Sequence, residues 1–223
     1  MKVIVTGSSS GLGLAISIAL ECAGIMVAPY DLDDNRDVTN PHASLANLKD
    51  VDGLINCAGI NRNEWFEEVT KDGFDHVMHT NALSFVAMTQ AILPQLKESK
   101  GFVINIVSNA AHIPMTSSLA YNASKAAGLM ITKQMAHELT PKYGITVFSI
   151  SPNKLAGTGM SRQIEENVCR VRGWTPEFAA EYQRKALMHG LETPPQAIAE
   201  YVANLLTTGQ YQYMSGTDIP FGK

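Results

Sequence analysis

The sequence predicts a doubly wound α/β protein built on a mainly parallel β-sheet. Short β-branched runs alternate with longer stretches of helical periodicity through the 223-residue chain. The first run, Val3–Val5, passes directly into a glycine-rich turn and then into an apolar helical pattern, as a parallel strand–helix–strand unit does. No repeat or linker divides the chain, so we expect one domain over residues 1–223.

Composition and charge exclude several classes of partner. Hydrophobic residues are 45% and charged residues 17%, which is ordinary globular usage. The formal charge of −4 gives no case for nucleic acid or an anionic membrane, and no apolar run is long enough to span one. Cys22, Cys57 and Cys169 show no metal-ligand or disulfide spacing, and the first residues lack a signal peptide's apolar region. We therefore expect a cytoplasmic protein without a metal site.

The turn Gly7-x-x-x-Gly11-x-Gly13 predicts a phosphate-binding site. Its glycines let the backbone turn tightly and approach a ligand, and the helix that follows (14–23) presents free N–H groups to an anion. A second strand, 25–30, ends at Asp31, about 20 residues beyond the glycines, where an acid can bind the ribose hydroxyls of an adenine dinucleotide. A Walker-type loop is excluded because no Gly-Lys-Ser/Thr follows.

The segment after Asp31 is too short for an ordinary crossover. Only a few polar residues separate it from Asp37-Val38, whereas a parallel crossover needs about a dozen residues or more. We expect a vestigial third strand, or the loss of the helix before it. A short helix over 41–48 and a buried strand over 51–56 then lead into Cys57-Ala58-Gly59-Ile60, a turn of small residues that a flat ligand could approach closely.

The remaining elements alternate in the same way. We expect a long helix over 74–96, bent near Pro94, then strand 102–107, helix 119–140, strand 146–150, helix 194–207 and strand 216–221. Residues 154–190 are less regular and predict a substrate loop or lid, because loops of that length in a compact domain are commonly functional.

Tyr121 and Lys125 lie four residues apart, so a helix would place them on one face. A phenol titrates near ~10, and a neighbouring ammonium favours its ionised form. Such a tyrosine could give and take a proton near neutral pH. The spacing alone is equally that of a solvated pair on a helix surface.

Several motifs together resemble those of the short-chain dehydrogenase/reductase family. They are Thr6-Gly7-x-x-x-Gly11-x-Gly13, Asp37-Val38, Asn56-Cys57-Ala58-Gly59, and Asn81, Ser108, Tyr121 and Lys125 in order. The resemblance runs essentially end to end and is greatest to the compact branch that includes 3-oxoacyl carrier-protein reductases. It implies a Rossmann fold with a shortened segment between the second and third strands. It also implies NAD(P)-dependent hydride transfer between a nicotinamide and an alcohol or ketone.

The resemblance implies a role for each catalytic residue. Tyr121 would be the general acid/base, and Ser108 would hydrogen-bond the reacting oxygen. Lys125 would favour the tyrosinate and bind the nicotinamide ribose. Asn81 would hold a water that links Lys125 to solvent, although a mid-helix asparagine is by default structural.

The implied cofactor contacts lie mostly after strands, with two on the helix over 119–140. They are Gly7, Ser9, Ser10, Gly11, Leu12, Gly13, Asp31, Leu32, Asp37, Val38, Asn56, Ala58, Gly59, Tyr121, Lys125, Pro152, Asn153, Leu155 and Thr158. The expected substrate pocket is His112, Ile113, Met115 and Met160.

Three features depart from the family pattern in addition to the shortened segment. Asn153 stands where the family usually has glycine, Thr158 falls one residue late, and the C-terminus lacks Asp-Gly-Gly. The last departure leaves open whether the expected homo-oligomer is a homodimer or a homotetramer.

The preferred cofactor is NAD. Asp31 would repel a 2′-phosphate, and Ser8–Ser10 includes no basic residue to receive one, although Arg36 could reverse the preference. The expected partner is a small carbonyl or alcohol, open between a 3-oxoacyl, a hydroxysteroid and a sugar-alcohol substrate. The alternative function is a catalytically silent dinucleotide-binding sensor or scaffold of the same fold.

Overall fold

A six-stranded parallel sheet in the order β2-β1-β3-β4-β5-β6 forms the centre of the molecule. The computed structural model describes residues 1–41, 45, 48–187 and 189–222. The strands are β1 Lys2–Thr6, β2 Met26–Tyr30, β3 Gly53–Asn56, β4 Phe102–Ile106, β5 Thr146–Pro152 and β6 Asp218–Phe221. The doubly wound parallel sheet predicted from the sequence is confirmed.

Helices cover both faces of the sheet. They are α1 Gly11–Cys22, α2 Lys71–Met78, α3 Ser84–Ala91, α4 Leu93–Ser99, α5 Leu119–Tyr143, α6 Gly159–Arg172, α7 Pro176–Ala186 and α8 Pro195–Thr207. Among the described residues, none of these helices is both long and apolar enough to cross a membrane.

Alternation along the strands sends side chains to two separate cores. Val3 and Val5 pack with Ile16 of α1 and Ile198 of α8 on one face. Ile4 points to the other face, where the partners include Leu54, Met88 and Val103 together with Ala136 of α5. Both faces of the sheet are therefore buried, as parallel sheets require.

The chain winds in opposite directions on either side of β1. β2 pairs with one edge of β1, and β3 pairs with the other. The carboxyl ends of β1 and β3 consequently form the point at which doubly wound sheets bind ligands.

The sequence predicted a vestigial third strand or the loss of the helix before it, and the shortened segment is confirmed. Residues 31–41, all of which the structure describes, contain a 3₁₀ turn at Leu32–Asp34 and no strand, so β2 forms the edge of the sheet. Val38 still packs into the core, and the Tyr30 hydroxyl donates to the Asp37 carbonyl. The helix predicted over 41–48 falls largely outside the described residues.

Two sequence predictions need correction. The single helix expected over 74–96 is interrupted by a π-helical turn at His79–Leu83 and again at Ile92, just before Pro94 enters the first turn of α4. The expected loop over 154–190 instead contains the two helices α6 and α7, hereafter the cover helices.

Candidate active site

The glycine turn after β1 tolerates no side chain at two positions. Gly7 has φ of 67°, and a Cβ atom on Gly13 would lie 2.1 Å from the Gly7 carbonyl oxygen. The first helical bond of α1 runs from the Leu14 N–H to the Ser10 carbonyl, and no side chain caps the helix start. The N–H groups at the start of α1 lack intrahelical partners, so the turn fits an anionic phosphate.

Asp31 lies beside this turn. Its carboxylate accepts hydrogen bonds from the Ser9 N–H at 3.0 Å and the Asp33 N–H at 3.3 Å. The Arg36 guanidinium donates to the Pro29 carbonyl at the sheet edge. The acid at the end of β2 is therefore next to the phosphate turn, as the sequence predicted, while Arg36 is bonded elsewhere.

The residues predicted to hold the adenine side of the cofactor differ in exposure. Leu32 is 67% exposed, whereas the Val38 side chain is buried. One oxygen of Asp37 accepts from both the main-chain N–H and the hydroxyl of Thr39.

The ends of β1 and β3 are joined through a threonine. The Thr6 hydroxyl oxygen accepts from the Cys57 and Ala58 N–H groups, at 2.9 and 3.0 Å. A Cβ atom added to Gly59 would lie 3.2 Å from Asn81 Oδ1 and 3.7 Å from Lys125 Nζ. The turn of small residues thus lies between the glycine turn and the predicted catalytic residues.

Asn56 was predicted to contact the cofactor, but its side chain points into the sheet. Its amide donates to Asn105 Oδ1 on β4 at 2.8 Å, and Asn105 in turn donates to the Thr132 hydroxyl of α5. All three side chains are buried. This bonded chain fixes β3 against β4 and α5, so the predicted contact of Asn56 with the cofactor would come from its main chain.

Ser108, Tyr121 and Lys125 meet at the carboxyl end of β4. Ser108 begins a 3₁₀ turn, and its side chain is close enough to the Tyr121 phenol to lower the pKa of that group. Lys125 Nζ donates to the Ile106 carbonyl at 3.0 Å and lies 5.7 Å from the centre of the Tyr121 ring. The three predicted catalytic side chains therefore form one cluster.

Burial dominates the ionisation of this cluster. It raises the pKa of Tyr121, an effect that the hydrogen bond from Ser108 opposes. It lowers the pKa of Lys125 to about 8 and raises the pKa of the neighbouring Cys57 thiol to about 12. The direction for Tyr121 differs from that expected from the Lys125 spacing, because removal from water favours the neutral phenol.

Asn81 is fully buried in the π-helical turn. Its Oδ1 accepts from the Ile60 N–H, and its Nδ2 donates to the Ile60 carbonyl and the Ser124 hydroxyl, at 2.8, 2.8 and 3.0 Å. Both ends of the amide are thus used within the protein. Asn81 connects the turn after β3 to α5, and the water expected on its side chain has no free amide donor there.

The segment after β5 places its predicted cofactor contacts at the same edge. Thr158 caps α6, its hydroxyl accepting from the Ser161 N–H, and a Cβ atom on Gly11 would lie 3.8 Å from it. Pro152 ends β5, and the Asn153 side chain donates to the Gly222 carbonyl at 3.3 Å. Leu155 forms an isolated bridge with Thr193.

Lys154 joins the cover helices to this strand end. Its Nζ lies 2.6 Å from carboxylate oxygens of both Glu165 on α6 and Glu192, and it bonds Gln183 on α7. At the far end of α6, Arg172 donates to the Thr116 carbonyl. The cover helices are therefore bonded both to the cofactor side and to the loop after Ser108.

The residues predicted for the substrate pocket lie in the loop before α5 and on α6. Ile113 and Met115 are 48% and 41% exposed in that loop, and Met160 is half-buried on α6. The His112 Nε2 atom lies 2.9 Å from Asp218 Oδ2 on β6. The contact of these four residues with a substrate stays a prediction.

Sequence reasoning missed three polar residues that hold the site together. Ser124 bonds Asn81, Asn122 bonds the loop after Ser108, and Asp218 bonds His112. Asp218 could have been singled out from the sequence, since it is a lone acid at the start of an apolar strand. The other two bonds depend on tertiary contacts that spacing does not reveal.

Comparison with known proteins places the chain in a family. Residues 21–168 match the short chain dehydrogenase family model. The chain is 34% identical to the acetoacetyl-CoA reductase of Shinella zoogloeoides, over 76% of this chain and 79% of that protein. The chain belongs to the short-chain dehydrogenase family.

Two further matches extend over almost the whole chain. The sorbitol-6-phosphate 2-dehydrogenase of Klebsiella pneumoniae is 28% identical over 99% of this chain and 95% of its own length. The structure of an NAD⁺-bound xylitol dehydrogenase superposes with a TM-score of 0.89 at 22% identity, covering 100% of this chain and 98% of that one, which shows the shared fold.

This short-chain dehydrogenase is an NAD(P)-dependent oxidoreductase that acts on alcohol or ketone groups. The relatives bear dehydrogenase and reductase names, which support the enzyme and not the silent sensor or scaffold.

Proposed function

We propose that Tyr121 is the general acid/base of the reaction, with Ser108 and Lys125 as its partners. The observation that carries the proposal is the position of Lys125, which is buried, donates to the Ile106 carbonyl and lies 5.7 Å from the centre of the Tyr121 ring at the strand end that Ser108 follows. The bound nicotinamide supplies or accepts the hydride. The protein binds the substrate oxygen and moves a proton at the Tyr121 hydroxyl.

Each residue has a separate task in this proposal. Burial keeps Tyr121 protonated, so its phenol can donate to a carbonyl oxygen as negative charge develops there. The Ser108 hydroxyl donates a second hydrogen bond to the same oxygen. Lys125 supplies positive charge beside the tyrosinate that results and so favours that ionised form until it is protonated again.

We propose NAD as the preferred cofactor. The glycine turn is tight, since a side chain on Gly13 would occupy the space of the Gly7 carbonyl. Such a turn lets the backbone N–H groups approach the cofactor's phosphates. The Asp31 carboxylate lies beside Ser9, where it favours ribose hydroxyls and repels a 2′-phosphate. The Arg36 guanidinium is bonded to the Pro29 carbonyl, which supports NAD over NADP.

For the substrate, we propose a 3-oxoacyl thioester first and a sugar alcohol second. The acetoacetyl-CoA reductase of Shinella zoogloeoides supports the first, and the exposed Ile113 and Met115 offer apolar surface to an acyl chain. The sorbitol-6-phosphate 2-dehydrogenase, which matches nearly the whole chain, favours the second.

A substrate panel tests these assignments. NADH oxidation would be followed with acetoacetyl thioesters and ketoses, and NAD⁺ reduction with sugar alcohols. We expect the highest kcat/KM with a thioester and NADH. Turnover of sugar alcohols alone would replace the first substrate class with the second.

The remaining assignments are also proposals. Residues 1–223 would act as one dinucleotide-binding unit in which the cover helices replace the expected loop as the lid. The free thiols of Cys22, Cys57 and Cys169 support a reducing, cytoplasmic location. A homodimer or homotetramer is proposed from the family resemblance, and its test is the mass of the purified protein in solution.

A further inference from the structure

The turn that carries Ser108 is a short, internally bonded unit that ends at His112. The Ala111 N–H donates to the Ser108 carbonyl at 2.9 Å, and the His112 N–H donates to the Asn109 carbonyl at 3.0 Å. The Ala110 N–H also donates to the Ser108 hydroxyl oxygen at 3.2 Å. The orientation of the Ser108 hydroxyl therefore depends on where the whole turn lies.

His112 bonds the far end of this turn to the last strand of the sheet. Its Nε2 atom lies 2.9 Å from Asp218 Oδ2, and the two side chains are 30% and 10% exposed. An imidazole can donate this bond in its neutral or its protonated form. The contact joins residues 106 positions apart, so it fixes the turn relative to β6.

The Asp218 carboxylate is itself held by two buried hydroxyls. Ser149 and Ser151 donate to Asp218 Oδ1 at 2.6 and 2.8 Å, and their positions two residues apart place them on one face of β5. Both serines are at most 1% exposed. A carboxylate this far from water needs such partners, so Oδ1 faces the sheet while Oδ2 receives His112.

A second contact holds the same turn from the opposite side. Asn122, next to Tyr121 on α5, donates from Nδ2 to the carbonyls of Ala110 and Ile113, at 2.8 and 2.6 Å. Asn122 thus sets the turn relative to the helix of Tyr121, whereas His112 sets it relative to the sheet.

We propose that His112 is a positioning residue that holds Ser108 in hydrogen-bonding reach of Tyr121 through its bond to Asp218. The inference rests on the proposed catalytic roles of Ser108 and Tyr121. It gives His112 a role in orienting Ser108, separate from its predicted place in the substrate pocket.

The test compares His112→Leu with His112→Gln. Leucine removes the donor to Asp218, and we expect kcat to fall by about tenfold or more, because small displacements of a catalytic group are costly. The KM for NADH should change by less than about twofold, since the bonds of His112 go to Asp218 and Asn109 and not to the glycine turn. Glutamine retains an N–H donor and should restore most of the lost kcat. His137→Leu, the same change on an exposed face of α5, is the matched control and should leave kcat unchanged.

A spectroscopic measurement tests the proposal without turnover. In protein labelled with ¹³Cζ-tyrosine, the Tyr121 signal should shift in His112→Leu and return in His112→Gln, because it reports the bond from Ser108. If the parent enzyme reduces no carbonyl, the proposed function fails while this measurement still decides the positioning role. Equal losses of kcat in both variants, or an unchanged Tyr121 signal in His112→Leu, would overturn it.

Discussion

Lys125 Nζ lies 5.7 Å from the centre of the Tyr121 ring and donates its hydrogen bond to the Ile106 carbonyl at 3.0 Å. The ammonium therefore faces the end of β4, one helical turn from the phenol on α5. Burial raises the pKa of Tyr121 and lowers that of Lys125 to about 8. Near neutral pH the pair is consequently a neutral phenol beside a cation, which is the form that can donate a proton to a ketone.

The buried Lys125 should make stability depend on pH. Its pKa is about 8 in the folded protein and 10.5 in the unfolded chain, so between these values the unfolded state binds more protons. The free energy of unfolding should therefore rise with pH over this window. The difference between the two pKa values corresponds to roughly 3 kcal/mol of destabilisation. This destabilisation of the folded state is present in full below pH 8 and is absent above pH 10.5.

Lys125→Met isolates this contribution because the other titrating groups remain. Urea unfolding of both proteins at pH 8 and pH 10.5 gives the difference directly. Between these two pH values, the free energy of unfolding should rise more in the parent protein than in the variant. Parallel profiles for the two proteins would contradict the burial of a charged Lys125.

Gly13→Ala should disrupt the glycine turn after β1. Its Cβ would lie 2.1 Å from the Gly7 carbonyl oxygen, so the backbone of the turn or of α1 must move. We expect a loss of about 2 kcal/mol or more in the free energy of unfolding, as for overpacked sites, and at least tenfold weaker NADH binding. Urea titration and NADH fluorescence measure the two effects.

Gly159→Ala is the matched control for that substitution. A Cβ on Gly159 meets no atom within 4 Å, and its φ is not positive. Stability and NADH binding should both be retained. A Gly13→Ala protein indistinguishable from this control would be incompatible with a closely packed turn.

Asp31→Ala should narrow the preference for NADH over NADPH. In the proposed NAD site, the carboxylate beside Ser9 would receive the ribose and repel a 2′-phosphate, so its loss should reduce the ratio of kcat/KM values by about tenfold, or ~1.4 kcal/mol. Asp34→Ala removes a nearby exposed acid and should leave the ratio unchanged. An unchanged ratio in Asp31→Ala would instead assign cofactor preference to Arg36 or the shortened loop.

The order of the strands and the position of the site could be predicted from the sequence because both follow from the pattern of residues close together in the chain. Val3–Val5, the glycine turn and Asp31 are close in sequence, and the shortened segment after Asp31 could be recognised from its length alone. Ser108, Tyr121 and Lys125 were found because each lies at the end of a strand or on one helix face.

The cover helices were missed because most of their residues are polar and few are buried, so the segment lacks the apolar residues that mark a core helix. Their ends were nevertheless marked in the sequence, by Thr158 and Gly173 for α6 and by Thr175-Pro176 for α7. The bond of His112 was missed for a different reason. Its partner Asp218 is 106 residues away, and only the assembled sheet brings the two together.

The measurement that bears most directly on the central claim is the turnover of Tyr121→Phe. This variant keeps the ring but loses the hydroxyl that would give and take the proton. General acid–base catalysis contributes about 10²- to 10⁴-fold, so kcat should fall by at least about a hundredfold while the Kd for NADH stays within about twofold. A kcat close to that of the parent enzyme would contradict the assignment of Tyr121 as the proton donor and acceptor.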